Sequence, residues 1–173
     1  HYSEDLRWAM TRAISEGVIV VAAMGNESTE DPDDTLPMWS GICGVGAINA
    51  DGSLTEYSNW GNGVETVALG KIIVRSGSRG EVLTMQGTSF ATPIVAGFLA
   101  IAWQRFDERI TANQILQAMT TTGTGSNGDW NYYTGFGPAD PWGLLNADAA
   151  SLPDVNPCES KTYSLKPSWQ DVE

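Results

Sequence analysis

Gly87-Thr88-Ser89-Phe90-Ala91-Thr92-Pro93 is the stretch from which the rest of the chain can be read. It leads straight into Ile94, Val95, Ala96, Phe98, Leu99, Ala100, Ile101, Ala102 and Trp103. That run is apolar on nearly every face, so it predicts a buried helix rather than a surface one. Pro93 falls in the first turn or two, where a missing N–H costs least. Ser89 then stands at the mouth of the helix, on a rigid base. Its own N–H and the positive end of the helix dipole face whatever binds in front of it. Those are the physical needs of a serine nucleophile with half an oxyanion hole. They are also met by a plain N-capping serine, and serine is a favoured N-cap.

Working back from this stretch, residues 18–23 read Val-Ile-Val-Val-Ala-Ala. The run is short, continuous and β-branched, which predicts a strand buried on both faces and hence a parallel sheet. Residues 3–16 before it carry Leu6, Ala9/Met10 and Ala13/Ile14 at helical spacing. Ser3 is placed to cap that helix, Glu4 and Asp5 suit its dipole, and Gly17 is a natural stop. Helix, glycine and buried strand make half of a βαβ unit whose first strand lies upstream of His1. The strand runs out into Ala23-Met24-Gly25-Asn26-Glu27. A polar residue at the carboxyl end of a buried parallel strand is where α/β proteins place their sites. An Asn after Gly is equally a turn residue. The acids Glu27, Glu30, Asp31, Asp33 and Asp34, broken by Pro32, form either a solvated loop or an oxygen-ligand calcium site.

Residues 42–48 predict a second strand, with glycines that permit close backbone approach, and residues 64–69 a third. Residues 72–76 and 81–85 predict a hairpin closed by Gly77-Ser78-Arg79-Gly80, which delivers the chain to Gly87. Beyond the serine helix, Thr111-Ala112-Asn113-Gln114 is a capping box, with Ile110 and Ile115 as its hydrophobic staple, for a helix running to about Met119. Residues 120–137 are polar and Gly-rich, a long loop carrying Trp130, Tyr132 and Tyr133. Residues 1–152 form one domain, and residues 153–173, polar with three prolines, read as a tail.

The chain of 173 residues is long enough for a real core, and 42% apolar content with seven Trp argues for a folded globule. A net charge of −12 argues against nucleic acid and against anionic membrane surfaces as partners. No apolar run approaches the ~20 residues of a membrane-spanning helix. The start, His1-Tyr2-Ser3, has neither an initiator Met nor a signal peptide, so the chain reads as the later part of something longer. Cys43 and Cys158 could pair with each other, pair with another chain or stay reduced, and neither has the spacing of a metal site.

Gly-Thr-Ser-Phe-Ala-Thr-Pro, continued by Ile-Val-Ala-Gly, resembles the serine motif of the subtilisin-like proteases, the subtilases. Ile94 stands where that helix often carries His. Ala22-Ala23-Met24-Gly25-Asn26-Glu27 resembles the family's oxyanion segment, Val45-Gly46-Ala47 one of its strands, and Ser58-Asn59-Trp60-Gly61 its Ser-Asn-x-Gly loop. Ala68-Leu69-Gly70 stands where Ala-Pro-Gly is usual. Residues 142–150 resemble the closing helix, preceded by an atypical Pro138-Ala139-Asp140-Pro141. The similarity spans roughly residues 3–150, the second half of a subtilase catalytic domain.

The resemblance implies an α/β fold of three layers around a parallel sheet, of which this chain supplies the second half. It implies a serine endopeptidase, with Ser89 as nucleophile and the Asn26 side-chain amide donating to the developing oxyanion. By position Ala23, Met24 and Gly25 would wall the S1 pocket, and Glu27 would stand at its rim and favour a basic P1 side chain. The chemistry would need no cofactor, while structural calcium is a family habit for which no ligand pattern here carries over. Subtilases work with Asp, His and Ser in that chain order. The only histidine here is His1, in no motif setting, and Asp51-Gly52-Ser53 reads as a turn. A serine hydroxyl without a base is a poor nucleophile. The expected partners are therefore a complementary N-terminal half bearing Asp and His, and a peptide or protein substrate, with neither nucleic acid nor membrane. A secreted or extracytoplasmic location is expected from family habit, acidity and the processed-looking start. The competing reading is a pseudoprotease or peptide-binding module that kept the pocket and lost the base. A lipase-type hydrolase is disfavoured because Gly-x-Ser-x-Gly is absent around Ser89.

Overall fold

Ser3 opens the first helix, its hydroxyl accepting the Leu6 N–H at 3.2 Å, and α1 runs over Glu4–Ser15. In the computed structural model, which describes residues 3–33, 35–75, 77, 80–106, 109–125 and 129–160, Gly17 ends the helix with φ +85°. That left-handed turn lets the Val18 N–H return to the Ala13 carbonyl at 2.9 Å. Leu6, Met10 and Ile14 lay α1 across Ala22, Trp39 and Ile42.

The sheet is parallel, in the order β1 (Val21–Ala23), β2 (Cys43–Ile48), β3 (Val64–Leu69). Every residue of β2 is buried, which is why its sequence lacks polar alternation. Cys43, Val45 and Ala47 face the helices on one side, and Ile48 packs with Met24, Val64 and Val67 on the other. The expected strand over 18–23 is corrected: only Val21–Ala23 pairs, and Val18 is half exposed. The physical reason is that among the described residues β1 has a neighbour on one side only, so half of its hydrogen-bonding edge is unpaired there. The far edge is treated differently. Residues 136–139 run beside β3, with Phe136 N–H on the Glu65 carbonyl at 2.8 Å and Ala139 N–H on the Val67 carbonyl at 3.0 Å. The inserted Pro138 sits in this covering segment, bridged to Val67.

An antiparallel hairpin, β4 (Lys71–Arg75) and β5 (Val82–Gln86), projects from the end of β3 and returns the chain to Gly87. Gly77 and Gly80 lie in its connection; Ser78 and Arg79 lie outside the described residues. The central helix α2 follows over Thr88–Arg105, with Pro93 in its second turn. Its buried residues are Thr88, Ala91, Val95, Leu99 and Ala102, a single stripe against the sheet. The expectation of burial on every face is corrected, since Ile101 is 56% exposed and the opposite stripe of Pro93, Gly97 and Ala100 is open. The same residues that made the run apolar throughout are present, but one side of the helix has no cover among the described residues.

The capping box forms as read: Thr111 accepts the Gln114 N–H at 3.2 Å while the Gln114 side chain takes the Thr111 N–H at 3.1 Å. It starts α3 (Ala112–Thr122), one turn longer than expected. The closing helix is shorter than read. Asp140 caps α4 (Pro141–Asn146), and the chain leaves the helix at Ala147 before a separate 3-10 turn at Ala149–Ser151. Residues 153–160, the start of what sequence reads as tail, dock on the fold: Asn156 is 6% exposed and Cys158 fully buried, because two prolines and polar side chains do not prevent a short segment from docking through its backbone. Residues 161–173 lie outside the described residues. No helix among the described residues is long and apolar enough to cross a membrane.

Candidate active site

Beyond the carboxyl end of β1 the chain turns sharply at Gly25, φ +100°. A Cβ there would run into the Asn59 amide and the Glu27 carboxylate, so the position requires glycine. The turn places Asn26 against the amino end of α2. Its Oδ1 accepts the Thr88 N–H at 2.8 Å and the Thr88 hydroxyl at 3.2 Å. The N-cap residue of α2, Gly87, has no side chain to offer. Asn26, 62 positions before Thr88 in sequence, does that job instead. With Oδ1 committed to the helix, the amide Nδ2 is the end of Asn26 that faces outward. Gly87 has φ +151°, a backbone conformation that L side chains rarely adopt, while a Cβ there would meet Asn26 only at an ordinary contact distance of 3.5 Å.

Ser89 is exposed beside the buried Gly87 and Thr88. Among the described residues no protein group accepts the Ser89 N–H. Two donors, the Ser89 N–H and the Asn26 amide, therefore stand at the positive end of an 18-residue helix. The expected nucleophile and the expected oxyanion donor are brought together by a bond between Asn26 and the residue preceding Ser89.

The remaining sequence expectations fare unevenly. Ala23 is partly buried at the strand end. Met24 is 1% exposed, and its side chain packs in the core with Ile48, Val64 and Val67, so it faces away from the site. Glu27 is exposed, but its Oε2 is folded back onto the Asn26 N–H at 2.9 Å and the Asn59 amide at 2.7 Å. In the acidic loop, Asp31 binds the backbone and side chain of Asn62, and Asp34 lies outside the described residues.

Two residues that matter here stand in the quoted motifs, but the sequence reading gives them no role of their own. Thr88 accepts the Gly25 N–H at 3.2 Å while donating to Asn26, which ties strand end to helix start. Asn59, fully buried, is the hub of the loop. Its Oδ1 takes the N–H groups of Glu27 and Thr29 at 3.1 and 2.9 Å, and its amide donates to the Met24 carbonyl at 2.9 Å. The available signal was the polar Asn59 directly after Ser58 in a tight Ser-Asn-x-Gly turn.

Among the described residues one group of side chains is close enough to share a metal ion: Cys43, Glu65 and Cys158, whose ligand atoms lie within 4.8 Å of one another. It lies at the amino end of β2, away from the serine, and the serine site itself contains no such group.

A profile described as the subtilase family matches residues 1–137. An intracellular serine protease of Paenibacillus polymyxa is 38% identical over 104 residues, covering 58% of this chain and 32% of that protein. Subtilisin DY of Bacillus licheniformis is 28% identical over 152 residues, covering 86% of this chain and 52% of the relative. The chain thus spans about half or less of the length of these relatives. Among solved structures, fervidolysin from Fervidobacterium pennivorans, a keratinolytic enzyme related to subtilisin, superposes with a TM-score of 0.70 at 24% identity, over 84% of this chain and 25% of that one. A lanthipeptide protease superposes with a TM-score of 0.70 at 18% identity, over 80% of this chain and 53% of that one. At these identities the structures speak for the fold: a mixed α/β subtilisin-like arrangement around a parallel sheet, present as a partial domain.

Proposed function

The chain belongs to the subtilase family, and from that premise we propose that it is the nucleophile-bearing part of a serine endopeptidase whose Asp and His come from a complementary N-terminal segment. The observation that carries this is the Asn26–Thr88 bond. It sets the outward amide of Asn26 and the N–H of Ser89 side by side at one helix terminus, where a carbonyl oxygen gaining charge would be met by two fixed donors.

In the reaction, the Ser89 hydroxyl attacks the scissile carbonyl carbon as its proton passes to the imidazole of the complementary segment. Asn26 and the Ser89 N–H hold the tetrahedral oxyanion. The amine leaves with the proton returned by the imidazole, and water hydrolyses the Ser89 ester by the same path. Protein groups, substrate and water carry every step, so the reaction as proposed needs no cofactor. Ala23 by its Cβ and Gly25 by its backbone would line the substrate side, and Glu27 stands at the rim with its carboxylate turned inward onto Asn59. We place the protein outside the cytoplasm, in keeping with its net charge of −12.

Support for the missing segment comes from surfaces that need a partner. Among the described residues the outer edge of β1 is unpaired, and a cavity of about 310 Å³ lined by Val18, Ile19, Val21, Leu99 and Trp103 opens beside it. Exposed parallel edges and apolar faces are not stable in water.

The test is turnover of a peptide amide by the native protein and its Ser89→Ala variant. The expected result is a loss of about 10⁶-fold in kcat, the size known for the nucleophile of subtilisin itself. Full activity in the variant would remove Ser89 from the chemistry. Peptide binding without turnover in the native protein would favour the pseudoprotease reading.

A further inference from the structure

Cys43 and Cys158 are the only cysteines of the chain, both are fully buried, and neither takes part in the chemistry above. Cys43 opens β2, Cys158 lies in the short 3-10 turn Pro157–Ser160, and both join the same core cluster. Their sulfurs approach each other within 4.8 Å, with a Glu65 carboxylate oxygen equally near. The segment bearing Cys158 is held in register with the residues just before Cys43. Gly41 N–H donates to the Cys158 carbonyl at 2.9 Å, the Ser40 hydroxyl to the Glu159 carbonyl at 2.9 Å, and the Asn156 amide to the Gly41 carbonyl at 3.4 Å. Asn156 also turns back to take the Cys158 N–H at 2.9 Å. These bonds fix the two thiols as neighbours, a pre-organised pair with a high effective concentration for each other.

We propose that Cys43 and Cys158 form a disulfide that clamps the segment after the last helix onto the amino end of β2. Coordination decides between this and a bound cation. A divalent ion here would have three side-chain ligands among the described residues, the two sulfurs and a Glu65 oxygen, in a site closed to water, where a structural zinc takes four. A disulfide needs only the two sulfurs, and Glu65 keeps its bond from the Gly44 N–H at 2.7 Å. Closure proceeds by exchange with a small-molecule disulfide, RSSR. When the 3-10 turn lifts, one thiolate attacks RSSR and releases RSH. The second thiol displaces the remaining RS group from the mixed disulfide. Two thiols are oxidised, one disulfide is reduced, and two RSH leave. The cross-link then closes most of the chain into one loop, the case in which restriction of the unfolded ensemble is greatest.

The test equilibrates the native protein with oxidised glutathione in excess, in urea below the unfolding transition. The protein is then denatured, alkylated without reduction and mapped by mass spectrometry. The expected product is a Cys43–Cys158 peptide pair, lighter by two hydrogens and free of alkyl groups. Reductant should lower the Tm by about 10 °C, and the Cys43→Ala/Cys158→Ala variant should show no response to reductant. Both cysteines alkylated, glutathione retained on either one, or stoichiometric zinc held by the native protein and released by thiol modification would each overturn the proposal.

Discussion

Asn26 serves two ends with two atoms. Its Oδ1 caps α2 through the Thr88 N–H, and on the proposed reading its Nδ2 is the donor offered to substrate. The two jobs separate by mutation. Asn26→Asp keeps an oxygen for Thr88 but replaces the donor with a charge that repels an oxyanion. The expected outcome is a kcat loss of at least about 10²-fold with Tm nearly unchanged, the lower end of the effect of removing the side-chain donor from subtilisin. Asn26→Ala additionally strips the buried Thr88 N–H of its acceptor and should cost about 1–2 kcal/mol in urea unfolding. Thr88→Val removes the acceptor of the Gly25 N–H and the donor to Asn26. It should lower kcat more than it raises KM, with recovery in Thr88→Ser. Equal activity in Thr88→Val would show that the strand end is positioned by Asn59 alone.

Elements respond to their ends. Thr111 completes a capping box and also donates to Asp154 at 2.6 Å, so it joins α3 to the segment after the last helix. Thr111→Ala should cost about 1–2 kcal/mol, read as a lower urea midpoint with unchanged m. In the turn after β2, the Ser53 hydroxyl and N–H both donate to Asp51 and hold its carboxyl below the usual carboxylate range. That contribution is present above the unfolded-state pKa and is lost as pH falls through the lowered folded value. Asp51→Asn should therefore flatten the acid limb of the stability profile by lowering stability slightly at neutral pH while leaving it unchanged at pH below the lowered folded value. The elements legible in sequence were those whose signals are local: the Ser3 and Thr111 caps, the Gly17 stop and the all-apolar β2. What was not legible depended on neighbours. The length of β1 is set by pairing on one side, the break at Ala147 by the docking of residues 149–160, and the burial of Cys158 by backbone bonds to Gly41. The juxtaposition of Asn26 and Ser89 came through motif resemblance. The atoms that enforce it, on Thr88 and Asn59, carry no pattern that spacing alone reveals.

At the scale of the molecule, the sequence and the structure disagree in an informative place. Helix α2 is apolar on all sides yet buried on one, and the uncovered side adjoins the open edge of β1. On the proposed reading, an upstream segment covers both. Ile101, 56% exposed here, distinguishes the two situations. Ile101→Asp should change the stability of this chain alone by less than about 0.5 kcal/mol. In the native protein with its complementary segment the same substitution buries a charge and should cost about 3 kcal/mol or more. Equal effects in both settings would mean that nothing covers this face.

The most direct measurement is labelling of the native protein by a fluorophosphonate, which reacts only with an activated serine, followed by peptide mapping. The account predicts one adduct per protein, on the peptide containing Ser89, together with the segment that supplies the base, and no adduct on this chain by itself. A folded native protein that takes up no label, or takes it up at another serine, would contradict the assignment of Ser89 as the nucleophile.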